Sequence, residues 1–267
     1  MRPVHNLARL SAITTMKRFL PALSAVALAA AMPALAADAA PADPAGGLYV
    51  GYYQEDPVAN PEDPTPGSVY LSLPTGDNAF SGSMFFTYVG CQSESLGTVS
   101  GAKAGPALKG EWGGSVDGTA QKGGFVGAWS AEVGGYAGTY TVAGGKQHIA
   151  IADCIDYWIS PRGTWELLPV GGHVPETFGI SISGSQVTWT PPPGVMMTLV
   201  YVLDPELART GGARATVWQT LLFGAGKRAA DLRAARMKPG RSYVVAVKLN
   251  DGTMKRAGFA SRTIVAP

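Results

Sequence analysis

The sequence predicts an all-β chain in two parts. The first is an antiparallel meander, either a barrel or a strongly coiled sandwich, and the second is a further set of strands and turns. Three observations predict this. A pattern of apolar residue, any residue, Gly, any residue, apolar residue occurs five times between positions 49 and 140. In a strand that spacing puts both large side chains and the Gly on one face. Charged residues are only 15% of the chain and Gly numbers 35, a composition that weakens helices and suits strands and tight turns. From position 180 onward, apolar runs alternate with Pro- and Gly-rich turns.

The chain opens on a targeting segment. "MKRFLPALSAVALAAAMPALAAD" carries the basic pair Lys17-Arg18, an apolar run from Phe19 and the small-residue exit Ala34-Leu35-Ala36. This reads as a secretory signal over 1–36, cleaved after Ala36, with the start at either Met1 or Met16. Residues 37–47 are Ala- and Pro-rich and expected to be disordered. No later segment is long and apolar enough for a helical membrane span, so the mature product is expected to be secreted or periplasmic. Cys91 and Cys154, in an exported chain without C-x-x-C spacing, are expected to form a disulfide.

The meander is placed at 48–170. Its five copies of the pattern are "YVGYY" (49–53), "FSGSM" (80–84), "LKGEW" (108–112), "FVGAW" (125–129) and "YAGTY" (136–140). The bare Gly lets a neighbouring ring lie across the backbone and lets the strand coil sharply. Intervening residues such as Lys109, Glu111, Thr139 and Thr141 predict a wet outer face. Between the first two strands lies "YYQEDPVANPEDPTPGS" (52–68), whose prolines forbid regular pairing. Its acidic pairs, Glu55-Asp56 and Glu62-Asp63, are read as a solvated acidic connection and not as a metal site, since no Gly-bent loop converges oxygens there. "CIDYWISPRGTWELLPV" (154–170) reads as two closing strands around a turn at 160–163. Trp112, Trp129, Tyr136 and Tyr140 either fill the core or line a ligand cavity.

Short strands such as "LKGEW", "FVGAW" and "YAGTY" are similar to strand openings of avidin-like and lipocalin-like barrels. The likeness covers five-residue pieces and implies a barrel, not a ligand. The second part, 171–267, has more to compare. In "ISISGSQVTWTPPPG" (180–194) a strand bearing Trp189 stops at three prolines. In "ARMKPGRSYVVAVKLNDG" (235–252) Met237, Pro239 and Tyr243 lead into a long strand ending at an Asp251-Gly252 turn. These places resemble a fibronectin type III domain. The resemblance implies a β-sandwich with Trp189 in its core and Tyr243 as a tyrosine corner bonded to backbone just upstream. The third to fifth strands, within 206–234, are less legible, and "KRAADLRAARM" suits a helical turn.

Charge divides the same way. Residues 38–170 hold 5 basic and 14 acidic side chains, and residues 171–267 hold 12 and 5. Either the halves attract each other or the basic half meets an anionic partner. Arg209, Arg214, Lys227, Arg228, Arg233 and Arg236 are the candidate anion-binding residues. Outside the cytoplasm an anionic glycan or a surface protein is expected, and nucleic acid is not. The sequence contains no nucleophile elbow, no H-E-x-x-H, no phosphate loop and no dinucleotide fingerprint. The expectation is a non-enzymatic binding module without cofactor. Its rivals are a barrel for a small apolar ligand and an accessory module of an extracellular hydrolase.

Overall fold

The computed structural model describes residues 46–56, 66–88, 93–116, 119–145, 147–151, 155–210 and 215–267. The signal segment, the Glu62-Asp63 pair, both cysteines and Arg214 lie outside the described residues.

The first half is a closed eight-stranded antiparallel barrel. Its strands are β1 (Gly47–Glu55), β2 (Pro66–Leu73), β3 (Ala79–Tyr88), β4 (Ser93–Ala104), β5 (Ala107–Val116), β6 (Thr119–Ser130) and β7 (Gly135–Val142), followed after a separate hairpin, β8 (Gln147–Ile151) and β9 (Ile155–Ile159), by β10 (Arg162–Pro169). Each strand pairs with its sequence neighbour, and β10 pairs with both β7 and β1 to close the ring. The two closing strands expected at 154–170 are thus one. Residues 155–159 pair with β8, leaving β10 alone to join the barrel's ends.

All five glycine-centred pentapeptides lie in strands and turn their large residues inward. Tyr49, Tyr53, Phe80, Met84, Leu108, Trp112, Phe125, Tyr136 and Tyr140 join one buried cluster with Trp165 and Leu167, and Trp129 packs against it. The glycines leave space that rings occupy. A Cβ on Gly123 would meet the Trp112 indole, one on Gly110 would meet Phe125, and one on Gly163 would meet Tyr140. Trp112 and Trp165 fasten their indole N–H groups to the carbonyls of Thr141 (3.2 Å) and Thr139 (3.1 Å). Lys109, Glu111, Lys122, Thr139 and Thr141 are exposed on the outer wall. This sidedness is the reverse of a membrane-spanning barrel, whose outer band is apolar. Among the described residues no helix is long and apolar enough to cross a membrane.

The second half forms two antiparallel sheets. Its elements are β11 (His173–Val174), β12 (Ile180–Ser183), β13 (Gln186–Trp189), β14 (Val195–Leu203), helix α1 (Pro205–Thr210), β15 (Thr216–Phe223), β16 (Ala229–Asp231), a 3-10 turn (Leu232–Ala235), β17 (Ser242–Asp251) and β18 (Arg256–Val265). One sheet runs β11-β18-β17-β14-β15 and the other β12-β13-β16. Between them lies a core of Val187, Trp189, Val200, Val202, Val245 and Val247. The Tyr243 hydroxyl accepts the backbone N–H of Lys238 at 3.0 Å. The helical turn expected near 227–237 is the 3-10 turn, capped by Asp231.

One expectation needs correcting. β1 is not half wet: every residue from Tyr49 to Glu55 is buried. Its outward residues pack on the far face of the larger sheet. Val50 and Tyr52 share a cluster with Leu199, Tyr201, Leu203, Val244, Ala246 and Phe259. Polar contacts fix the docking. The Tyr201 hydroxyl donates to Gly51 O at 2.7 Å, and Ala215 N donates to the Tyr70 hydroxyl at 3.2 Å. β14 and β17 are therefore covered on both sides, which explains why their sequences are largely apolar.

Candidate functional site

Where the barrel's rim meets the larger sheet, a cleft of about 610 Å³ opens. The barrel supplies Tyr52, Gln54, Glu55 and Asp56 from the end of β1, Thr139, Tyr140 and Thr141 from β7, and Arg162, Thr164 and Glu166 from β10. The second half supplies Lys248 from β17, Met254 and Lys255 from the turn after it, and Arg256 from β18. Nearly all these side chains stand on paired strands, so the cleft's shape is held by the sheets and not by loops.

The carboxylates here are engaged. Asp56 pairs with Arg162 at 2.7 Å, and Glu166 pairs with Arg256 at 2.7 Å while accepting the Tyr52 hydroxyl. Glu55, 4% exposed, accepts the backbone N–H of Ser160 at 3.3 Å. The reading of Glu55-Asp56 as a solvated connection is corrected: Glu55 ends a strand and turns inward, and Asp56 is tied to β10.

Lys248 is fully buried, yet its ammonium position meets no carboxylate within ion-pair range among the described residues. Its Nζ donates to Gln54 Oε1 at 2.7 Å and lies 4.1 Å from the centre of the Tyr52 ring. Asn250 Nδ2 donates to the same Gln54 oxygen at 2.9 Å. Burial pushes the Lys248 amine well below the ordinary lysine range, Glu166 opposes this and Arg256 adds to it. Burial, then the Glu166 charge, pushes the Tyr52 hydroxyl well above the ordinary tyrosine value. A loosely held proton thus sits beside a tightly held one.

The aromatic candidates are on the inner wall. Trp112 meets Tyr140 edge-on at 6.2 Å, and Trp129 meets Tyr136 at 5.4 Å. The interior leaves a wholly apolar cavity of about 40 Å³ beside Trp112, Phe125, Tyr140 and Trp165. That is space for roughly one water-sized guest. Tyr140 also borders the cleft, but Trp112, Trp129 and Tyr136 do not.

Among the described residues, the basic candidates on either side of β16 are not brought together. The Arg228 carbonyl takes the N–H of Trp189 at one end of β13, whereas Leu232 N–H reaches Ser185 at the other. Lys227 and Arg228 therefore stand apart from Arg233 and Arg236. Arg233 is paired with Asp231, and the neighbouring Arg241 bridges Asp204 and Glu206 at 2.9 and 2.8 Å. Arg209, Lys227, Arg228 and Arg236 are exposed.

Sequence reasoning missed Gln54, Glu166, Lys248 and Arg256. One signal was present: Lys248 interrupts the apolar run "YVVAVKLN", where a charge on a strand covered on both sides must have a local reason. Among the described residues no group of three or more His, Cys, Asp or Glu side chains gathers as a metal site. No protein-family model, curated protein or solved structure matches this chain.

Proposed function

We propose that the protein is an exported recognition module and that the junction cleft holds its ligand, a glycan or a polar segment of a surface partner. The observation that carries this reading is the contrast between two spaces. The barrel interior leaves about 40 Å³, while the cleft offers about 610 Å³ walled by threonine hydroxyls, charged pairs and a tyrosine edge. Such a wall of paired donors and acceptors suits a hydroxyl-rich ligand, whose many weak bonds replace those it makes with water. An apolar carrier would need a far larger interior.

The second half is read here as a fibronectin type III-like scaffold. A three-stranded sheet facing β15-β14-β17-β18, with Trp189 in the core and the Tyr243 hydroxyl on Lys238 N–H, supports that reading. The eight-stranded up-and-down closure supports the likeness of the first half to avidin-like and lipocalin-like barrels. Both are scaffolds, and function rests on the site.

The test is binding of the mature chain to an array of bacterial and plant-type oligosaccharides and to intact cell envelopes, against Thr164→Trp. Thr164 is exposed on the cleft wall, so the indole fills the cleft without disturbing the core. Loss of binding by tenfold or more at unchanged melting temperature supports the assignment. Binding unaffected by Thr164→Trp, or no binding to any arrayed glycan or envelope, overturns it.

A further inference from the structure

We propose that the ligand of this cleft carries a carboxylate, held by Lys255 at the rim and answered from beneath by Lys248. The inference rests on the cleft being the ligand site and names the chemistry that it selects. Its basis is the balance of partners within the cleft. Asp56 and Glu166 are each committed to an arginine, and Glu55 is turned onto the Ser160 N–H. The cations are not all committed. Lys255 forms no ion pair within 4 Å among the described residues, although Asp251 feels its charge. Lys248 has Gln54 Oε1 and the face of Tyr52. A lysine ammonium carries three N–H donors, so the amide and the ring leave one unassigned, buried beneath the cleft floor.

A second consequence follows from what surrounds Lys248. The groups facing it are Tyr52 and Gln54 from β1, Glu166 from β10, Asn250 on its own strand and Arg256 from β18. Among the charged groups only Glu166 favours the ammonium, and it is already shared with Arg256 and Tyr52; the Gln54 oxygen and the Tyr52 ring face add weaker support. Burial therefore wins and the amine releases its proton readily. A ligand carboxylate in the cleft adds a second negative charge and reverses that balance. Binding then draws a proton onto Lys248. By linkage the affinity falls as pH rises, by up to tenfold per pH unit when one whole proton is taken up. The ligand's own carboxyl is ionised throughout this range and contributes no slope.

The experiment is titration calorimetry of the full mature chain between pH 6 and 9, in buffers of different ionisation enthalpy. The probes are a uronate oligosaccharide, its neutral methyl ester, and succinate and citrate as small acids. Expected is binding of at least one acid probe, at least tenfold weaker binding of the ester, and proton uptake on binding. Lys248→Met keeps Gln54 Oε1 bonded through Asn250, and is expected to fold, to lose the proton uptake and to bind at least tenfold more weakly. Lys255→Gln is expected to weaken binding and keep the uptake. Binding of succinate or citrate but not the uronate supports the proposal with a small acid as the source. Equal binding of ester and uronate, or acid binding without proton uptake, overturns this inference and leaves the cleft reading standing. No binding by any probe, neutral or acidic, overturns the carboxylate assignment, and if the glycan array is also blank the cleft reading falls with it.

Discussion

Replacing Gly127 by Ala puts one methyl group where the barrel has no space. The new Cβ would lie 2.6 Å from Trp165 Cη2 and 2.5 Å from Ala137 O, about 1 Å inside ordinary contact distance. Neither neighbour yields easily. Ala137 belongs to the β6–β7 ladder, and the Trp165 indole is tied to Thr139 O at 3.1 Å, so moving the ring breaks that bond. Overpacking costs roughly 1–3 kcal/mol, and a lost buried hydrogen bond adds about 1 kcal/mol. A total of about 3 kcal/mol lowers the melting temperature by roughly 6–12 °C for a chain of this size. The control is Gly113→Ala in the neighbouring β5, where the nearest atom to a new Cβ is Gln121 O at 3.7 Å. It is expected to change stability by no more than about 0.5 kcal/mol. The assay is thermal unfolding followed by near-ultraviolet circular dichroism, which reports the tryptophans directly. Equal melting temperatures for the two variants would refute the claim that the glycines are there to be covered by rings.

Three further outcomes are expected. Tyr243→Phe leaves the Lys238 N–H without its acceptor and should cost about 1–2 kcal/mol in urea unfolding, with an unchanged slope. Stability should rise with pH toward about 10 and fall above it. Lys248, depressed in the folded state, binds fewer protons there than when unfolded, so its contribution is complete only above the ordinary lysine value; Tyr52, raised in the folded state, loses its contribution as pH climbs past the ordinary tyrosine value. Lys248→Met should flatten the rising limb, and Tyr52→Phe should remove part of the falling one while the buried Tyr201 hydroxyl, also pushed up, keeps the rest, read from urea midpoints across pH. Cys91 and Cys154 are expected to resist alkylation until reduced, and closing their 63-residue loop should stabilise the fold by about 4 kcal/mol, read from the melting of the double alanine variant.

Much of the barrel was legible because side-chain alternation is local. Tyr136, Gly138 and Tyr140 share a face by backbone geometry alone, whichever strand lies beside them. The Tyr243 hydroxyl bond is equally local: its partner Lys238 is five residues away. The end of the meander was less so. The segments 155–159 and 162–169 both read as closing strands, and only pairing with β1 distinguishes the second.

The site itself was not legible. Gln54 and Lys248 are 194 residues apart, and neither has a spacing that announces the other. The sequence by itself determined that the glycine-centred segments would be strands, which of their faces would be dry and where glycine would make room for rings. Only the tertiary structure decided that the outer face of β1 would be buried against β14 and β17, placing a lysine that pairs with no carboxylate among the described residues beneath the cleft. The physical reason is that periodicity depends on each strand's own backbone, whereas the docking of two finished sheets depends on the shapes and polar partners both present once folded.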